Sequence, residues 1–376
     1  MIKPITLIWL GFCSRILVAA FGGSKLVSDS YYYHWIASRA VNLGERGLDV
    51  SIVQAEATKL YATLLSILYS VSTDSYFIGC LFSIFVWVLS AYVLKKILEL
   101  LKADNKTKYL VFLVYAFLPS SILNTSVPMR EAFELLFVNL IIYSSLRVYL
   151  NKSLLHWLYL VISCFLLGQF HRGLYAFGAV ILLMVMMSIF LRGRRRFPVK
   201  GFIVVPLIIF LSVYAYQLFS GQVYDLEKGL YLTILSYQEG TLYSSGRANY
   251  ESFITGIEGT LGLLLFIPTN LFQYLFEPMP WRISSILDIV LTFENLFRGF
   301  LIFASLKGLL NTDVISRRPL LFIFIAYIVI EILWSFGTTN WGTASRHHVP
   351  GLALLLIPGF YFYSKRSLNR KKLVHT

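Results

Sequence analysis

The stretch Ser75–Leu100, SYFIGCLFSIFVWVLSAYVLKKILEL, decides how this chain folds. Residues 75–94 carry no charge, and a helix needs about 20 mostly apolar residues to cross a hydrocarbon core. Lys95 and Lys96 follow at once, opening a basic cluster that continues through Lys102, Lys106 and Lys108. An apolar run closed by lysines reads as a membrane span whose C-terminal end faces the cytoplasm. The whole chain has the same character. Of its 376 residues 57% are hydrophobic and only 14% charged, with mean hydropathy +0.70, whereas an ordinary soluble domain is about 25% charged. A soluble enzyme, a disordered chain and a secreted disulfide scaffold are excluded, which leaves an all-α polytopic membrane protein. Cys13, Cys80 and Cys164 sit in apolar runs as small packing residues, with no paired spacing for a disulfide framework or a zinc site.

Working outward, predicted spans cover roughly 5–22, 75–94, 108–124, 129–148, 154–171, 173–191, 201–217, 285–309, 320–336 and 349–364. Two further apolar stretches, 57–72 and 258–276, are ambiguous, and the basic residues arbitrate. The Lys95–Lys108 cluster, the Arg192–Lys200 cluster, Arg317 with Arg318, and the tail Lys365–Lys372 share one side only if neither ambiguous stretch crosses. Pro268 interrupts the second stretch, as suits a re-entrant or interfacial helix. The expectation is a single transmembrane domain over 1–376, about ten spans with both termini cytoplasmic, and a basic cytoplasmic tail at 365–376. The formal charge of +14 is then an orientation signal, and nucleic-acid binding loses its support. Arg15 interrupts the 5–22 run, and the chain carries on as membrane protein, so this run is not a cleaved signal peptide. No inverted repeat of the transporter kind is visible.

In this orientation the outer side holds two long loops, 23–74 and 218–284, and short turns near 124–130, 171–173 and 337–348. The first loop contains SDSYYYHWIASRAVNLG, in which Tyr32, Ile36, Ala40 and Leu43 share a face while His34, Ser38, Arg39 and Asn42 turn mostly away. That pattern predicts an amphipathic helix at the membrane interface, capped by Ser28 or Asp29. The second loop is expected to hold the re-entrant or interfacial helix. The short turns collect Arg130 with Glu131, His171 with Arg172, and Arg346 with His347 and His348; the long loops add Asp29 and Arg247. Ionisable residues near membrane depth are costly and mark function, and several guanidinium forks suit a phosphate. Physics alone therefore points to an outward-facing site for an anionic, lipid-linked ligand.

Four stretches carry a resemblance. Ser28-Asp29-Ser30-Tyr31-Tyr32-Tyr33, just after the first span, resembles the first-loop acidic motif of GT-C glycosyltransferases, polytopic enzymes that use sugars linked to polyprenyl phosphate. Leu118-Pro119-Ser120-Ser121 through Arg130-Glu131 is similar to their "PS…(K/R)E" turn, and Phe276-Glu277-Pro278-Met279-Pro280-Trp281 to a Pro- and aromatic-rich outer segment of bacterial, family 39-like members. Ser345-Arg346-His347-His348-Val349-Pro350 resembles the motif that opens a late span. The chain departs from the pattern in having no second acidic residue beside Asp29 and no soluble C-terminal extension.

The resemblance implies a GT-C-like fold and inverting transfer of a sugar from a polyprenyl-phosphate-linked donor to a cell-surface glycan or lipid acceptor, at the outer face of a bacterial inner membrane. Asp29 would be the general base; Arg130, Arg346, Arg172 and Arg247 would hold the donor phosphate; Glu131, His171, His347, His348 and Tyr32 would contact substrate. No cofactor beyond the lipid-linked donor is expected. His347 and His348 point in different directions on a helix, so no metal is expected either. Other readings stand beside these. Asp29 also suits a helix cap, Arg346 a headgroup anchor, His171–Arg172 a polar turn, and Arg130 an i,i+4 ion pair with Glu134. Asp288, Glu294, Arg298 and Glu331, in or near spans, suit internal ion pairs as well as catalysis. A polysaccharide repeat-unit polymerase using a polyprenyl-diphosphate donor would use the same arginines. A lipid-linked sugar transporter or flippase is the more distant alternative.

Overall fold

The computed structural model describes residues 3–22, 28–42, 56–151, 153–190, 248–250, 259–310 and 314–374. The described residues are helical, with no strand among them, and Asn249 and Asn340 form an isolated bridge. They fall into two compact units, Met1–Arg172 and Gly173–Thr376. The predicted span at 201–217 and Arg247 lie outside the described residues.

The first unit contains α1 (Pro4–Phe21), α2 (Ser28–Asn42), α3 (Glu56–Val71), α4 (Tyr76–Leu100), α5 (Asn105–Phe117), α6 (Pro119–Thr125), α7 (Glu131–Asn151) and α8 (Leu154–Phe170). Helix α7 packs along both α4 and α8, α2 along α3, and α1 along α4 and α5. Gly11 permits the last approach: a Cβ there would stand 2.7 Å from Trp87 Cη2 and 2.8 Å from the Ala116 Cβ. Asp104 caps α5 by accepting from the Thr107 N–H at 2.8 Å.

The chain bends by 56° between α5 and α6. Leu118 is extended there and Pro119 follows it, so Pro119 offers no N–H to the last carbonyls of α5. Arg15, wholly buried, compensates. Its Nη1 donates to Ala116 O (2.9 Å) and Gly11 O (3.0 Å), its Nε to Thr125 Oγ1 (2.8 Å) and its Nη2 to Ser121 Oγ (3.2 Å). Its guanidinium carbon lies 3.6 Å over the Trp87 ring. One side chain of α1 thereby ties α5, α6 and α4 together at the break.

The second unit contains α9 (Leu174–Phe190), α10 (Gly259–Phe276), α11 (Ile286–Leu310), α12 (Val314–Gly337) and α13 (Trp341–Val374), with a 3₁₀ turn at Pro280–Arg282. Helix α13 packs on α11 and α12, and α12 also meets α9 and α10. Helix α11 is inverted relative to a soluble helix. It buries Asp288, Glu294, Asn295, Arg298 and Ser305 and exposes Phe293, Leu296, Phe300, Phe303 and Leu306. Polar groups facing the bundle interior and apolar groups facing out are the arrangement expected in lipid.

Among the described residues four helices are long and apolar enough to cross a membrane: Pro4–Phe21, Tyr76–Leu100, Glu131–Leu150 and Arg317–Gly337; the bent α5–α6 pair makes a fifth if taken as one span. Helices α8 and α9 are apolar but shorter. The stretches 57–72 and 258–276 both fold as helices, α3 and α10, with Pro268 inside α10. The described residues are thus all-helical, with several membrane-length apolar helices.

Candidate functional site

In the first unit, helix α2 lies on α3 through Tyr33, Ile36, Ala37 and Ala40, all buried. The expected inner row is shifted by one position at its start: Tyr33 turns inward and Tyr32 is 50% exposed. The reason is angular. At about 100° per residue, Tyr33 is the nearer partner of Ala37 and Ala40 on one face. Asp29 lies in the first turn of α2, where its carboxylate favours the dipole. Asp29 precedes Tyr33 by four residues and so stands on the buried side of α2, one turn beyond the packed row, and it is exposed.

The inner face of α2 leads to the other candidates. Tyr33, Ala37, Tyr61, Leu65, Met129, Ala132, Phe133 and Phe170 form one apolar cluster, which joins α2 and α3 to the start of α7 and the end of α8. Those two ends carry Arg130–Glu131 and His171–Arg172. Arg130 connects them: its Nε is 3.3 Å from Glu134 Oε1, completing the i,i+4 pair, and its Nη1 donates to Phe170 O at 3.4 Å. Glu131 is buried at the head of α7. The His171 N–H bonds to Leu167 O at 3.1 Å and closes α8, and Arg172 is partly buried in the turn that follows. Asp29, Tyr32, Arg130, Glu131, His171 and Arg172 therefore belong to elements gathered on one apolar cluster of the first unit.

In the second unit, Arg346, His347 and His348 occupy the first turns of α13. Arg346 is partly buried. The two histidines do point apart. The His347 ring stacks on Trp334, centroids 3.9 Å apart, with Nδ1 2.8 Å from Thr338 Oγ1. His348 reaches Glu331 Oε2 through Nδ1 (2.6 Å) and Tyr274 O through Nε2 (3.2 Å), so both ring nitrogens have protein partners. Gly351 makes room for this pair, because a Cβ there would meet Glu331 Oε1 at 2.9 Å.

The Phe276–Trp281 segment anchors to the same unit. Its Glu277–Pro278 bond is cis. Glu277 Oε1 pairs with Arg282 Nη1 at 2.9 Å, and the Arg282 guanidinium lies 4.8 Å over the Trp341 ring. Trp341 Nε1 donates to Asp288 Oδ1 at 3.0 Å. Arg298 donates to Leu275 O at 3.2 Å and to Asn295 Oδ1, and Asn295 Nδ2 donates to Glu277 O at 2.6 Å. These groups form a polar lattice linking the segment, α11 and α13.

Sequence reasoning missed a grouping around His34. His34 Nδ1 is 2.9 Å from Tyr69 OH, Ser30 Oγ is 2.7 Å from Tyr76 OH, and Ser38 Oγ donates to Asp74 Oδ2. Burial holds the His34 imidazole below its ordinary range, and Asp74 works against that shift. The available signal was the spacing of Tyr31, His34 and Ser38 on one side of α2. Among the described residues, no three His, Cys, Asp or Glu side chains gather as a metal set. Compared with known protein families, curated proteins and solved structures, this chain matches none of them.

Proposed function

We propose that this chain is an integral membrane glycosyltransferase of the GT-C type. It moves a sugar from a polyprenyl-phosphate-linked donor to a cell-surface glycan or lipid acceptor at the outer face of a bacterial inner membrane. The observation that carries the reading is Asp29: an exposed carboxylate on the inner edge of α2, whose helix packs on the cluster that also seats Arg130–Glu131 and precedes the His171–Arg172 turn. The inverted polarity of α11 supports counting 285–309 as a span, toward the topology of about ten crossings with cytoplasmic termini.

In the reaction, Asp29 takes the proton of an acceptor hydroxyl. The oxygen bonds the anomeric carbon from the face opposite the donor phosphate, with inversion, and the bond to the phosphate oxygen breaks, leaving its electron pair there. A positioned base contributes about 10²–10⁴-fold. Arg130 and Arg172, both of the first unit, neutralise the charge growing on the phosphate, the role oxyanion donors play elsewhere. Tyr32, exposed and one turn from Asp29, contacts the sugar in this reading.

The test compares lipid extracts, by mass spectrometry, from cells that lack the protein, express it, or express Asp29→Asn at equal level in the membrane. A lipid-linked sugar that accumulates in the null and in Asp29→Asn but not in the wild type supports the transferase. An Asp29→Asn lipid profile identical to wild type removes Asp29 from the chemistry.

A further inference from the structure

Helix α2 has a second organised side. Tyr31, His34 and Ser38 follow one another at i, i+3 and i+7 and so share a face, opposite in sense to Asp29. The turn between α3 and α4 closes over that face with Asp74 and Tyr76. The His34 ring is held among Tyr31, Tyr69 and Tyr76, with centroids 5.8, 5.6 and 5.5 Å away. Tyr31 stacks on Tyr76 at 6.3 Å and 29° and is 58% exposed. Each polar group is fixed from within: Nδ1 of His34 by Tyr69, the Tyr76 hydroxyl by Ser30, and one Asp74 oxygen by Ser38. A rotamer held in this way loses little entropy when a ligand arrives.

The crease offers outward an aromatic face, the second ring nitrogen of His34 and the second oxygen of Asp74. That set selects a chemistry. Asp74 repels a phosphate, and the nearest cationic residue on α2, Arg39, lies over Trp35 at 5.2 Å. A quaternary ammonium needs a cage between rings, and here His34 already fills the space between the three tyrosines. A flat aromatic wall beside one carboxylate and one imidazole suits a neutral polyol, whose hydroxyls donate to the carboxylate while its C–H face covers the ring.

We infer that the Tyr31–His34–Asp74 crease is a saccharide subsite. This rests on the transferase reading in one respect, that the saccharide it takes is the acceptor. The crease and Asp29 lie on opposite sides of α2, so the sugar held in the crease is not the one whose hydroxyl reacts.

The experiment measures binding, without turnover, on the full chain in phospholipid nanodiscs free of sugar detergents. Saturation-transfer-difference NMR is run with methyl hexosides, N-acetylhexosaminides and 6-deoxyhexosides, and with tetramethylammonium as a cationic probe. At least one glycoside gives a signal on the wild type. That signal falls at least fivefold in Tyr31→Ala and in Asp74→Asn, both surface changes, and persists in Asp29→Asn. Glycoside binding by a wild-type protein that shows no transferase activity would refute the proposed reaction and keep the subsite. No glycoside signal, a signal indifferent to both surface variants, or a response to tetramethylammonium alone overturns the subsite itself.

Discussion

Replacing Arg15 by methionine should destabilise the first unit by about 2–4 kcal/mol, and the sign of that number is the point at issue. Three of Arg15's bonds cross to other helices, at Ala116 O, Thr125 Oγ1 and Ser121 Oγ. Interhelical hydrogen bonds in membrane proteins average about 0.6 kcal/mol each, so together they contribute roughly 2 kcal/mol. The guanidinium stacked 3.6 Å over Trp87 in a desolvated setting adds about 2 kcal/mol more. Against this stands the cost of burying a cation with no acidic partner among the described residues, which methionine would relieve. An ion pair exchanged for a well-packed apolar side chain can be neutral or even stabilising. The bend decides the outcome. With Pro119 just beyond the end of α5, Ala116 O has Arg15 as its donor, and a buried carbonyl that loses its partner costs about 1–3 kcal/mol. Arg15→Lys retains the charge but not the planar fork, so it should fall between wild type and methionine. The assay is denaturant-induced unfolding of the purified protein in mixed micelles, followed by tryptophan fluorescence. An Arg15→Met protein as stable as wild type, or more stable, refutes the clamp.

Two further changes test the packing and the titration. Gly351→Ala drives a methyl to within 2.9 Å of Glu331 Oε1 and 3.2 Å of Ile330 Cγ2, an overpacking worth about 1–3 kcal/mol; it should lower the thermal midpoint, and Glu331→Ala in the same chain should recover part of the loss. His34 has its folded value below the ordinary imidazole one, at about 6.5. As pH falls past that value the unfolded chain binds the proton first, so the contribution of His34 is complete at pH 7.5 and is lost progressively toward its folded value. Hydrogen-exchange protection in α2, taken relative to the intrinsic rate at each pH, should therefore fall between pH 7.5 and pH 5 in the wild type and change less in His34→Gln; equal slopes in the two proteins refute the assignment.

What the sequence made legible was local. Membrane-length apolar runs at 5–22, 75–94, 129–148 and 320–336 appear as helices of that length, because a run of apolar residues needs no partner to declare itself. The Arg130–Glu134 pair and the His171–Arg172 turn follow from i,i+4 spacing and from a break between two hydrophobic runs. Contacts between distant residues were not legible. Arg15 read as an interruption of its run, since Thr125 and Ala116, its partners, lie about a hundred positions further on. Asp74 carried no signal until α2 placed Ser38 against it. Tyr32 and Tyr33 are chemically identical, and a row displaced by one residue exchanges their faces; only the packing on α3 chooses.

The same packing divides the candidate arginines by what their nitrogens already hold. Arg282 is committed to Glu277 and Asn249 O and stacked toward Trp341, and Arg298 to Leu275 O and Asn295. A guanidinium with such partners, buried at 7% exposure in the case of Arg298, builds scaffold. Arg130 is intermediate. Its Nε pairs with Glu134 and its Nη1 donates to Phe170 O, which ties the start of α7 to the end of α8. Arg172 lies in the turn after α8 and Arg346 in the first turns of α13, each partly buried. The histidines divide likewise, because His348 bonds through both nitrogens to α10 and α12. In the proposed reaction His348 is therefore a positioning residue for the first turns of α13. In that proposed reaction the base is Asp29, exposed in the first turn of α2.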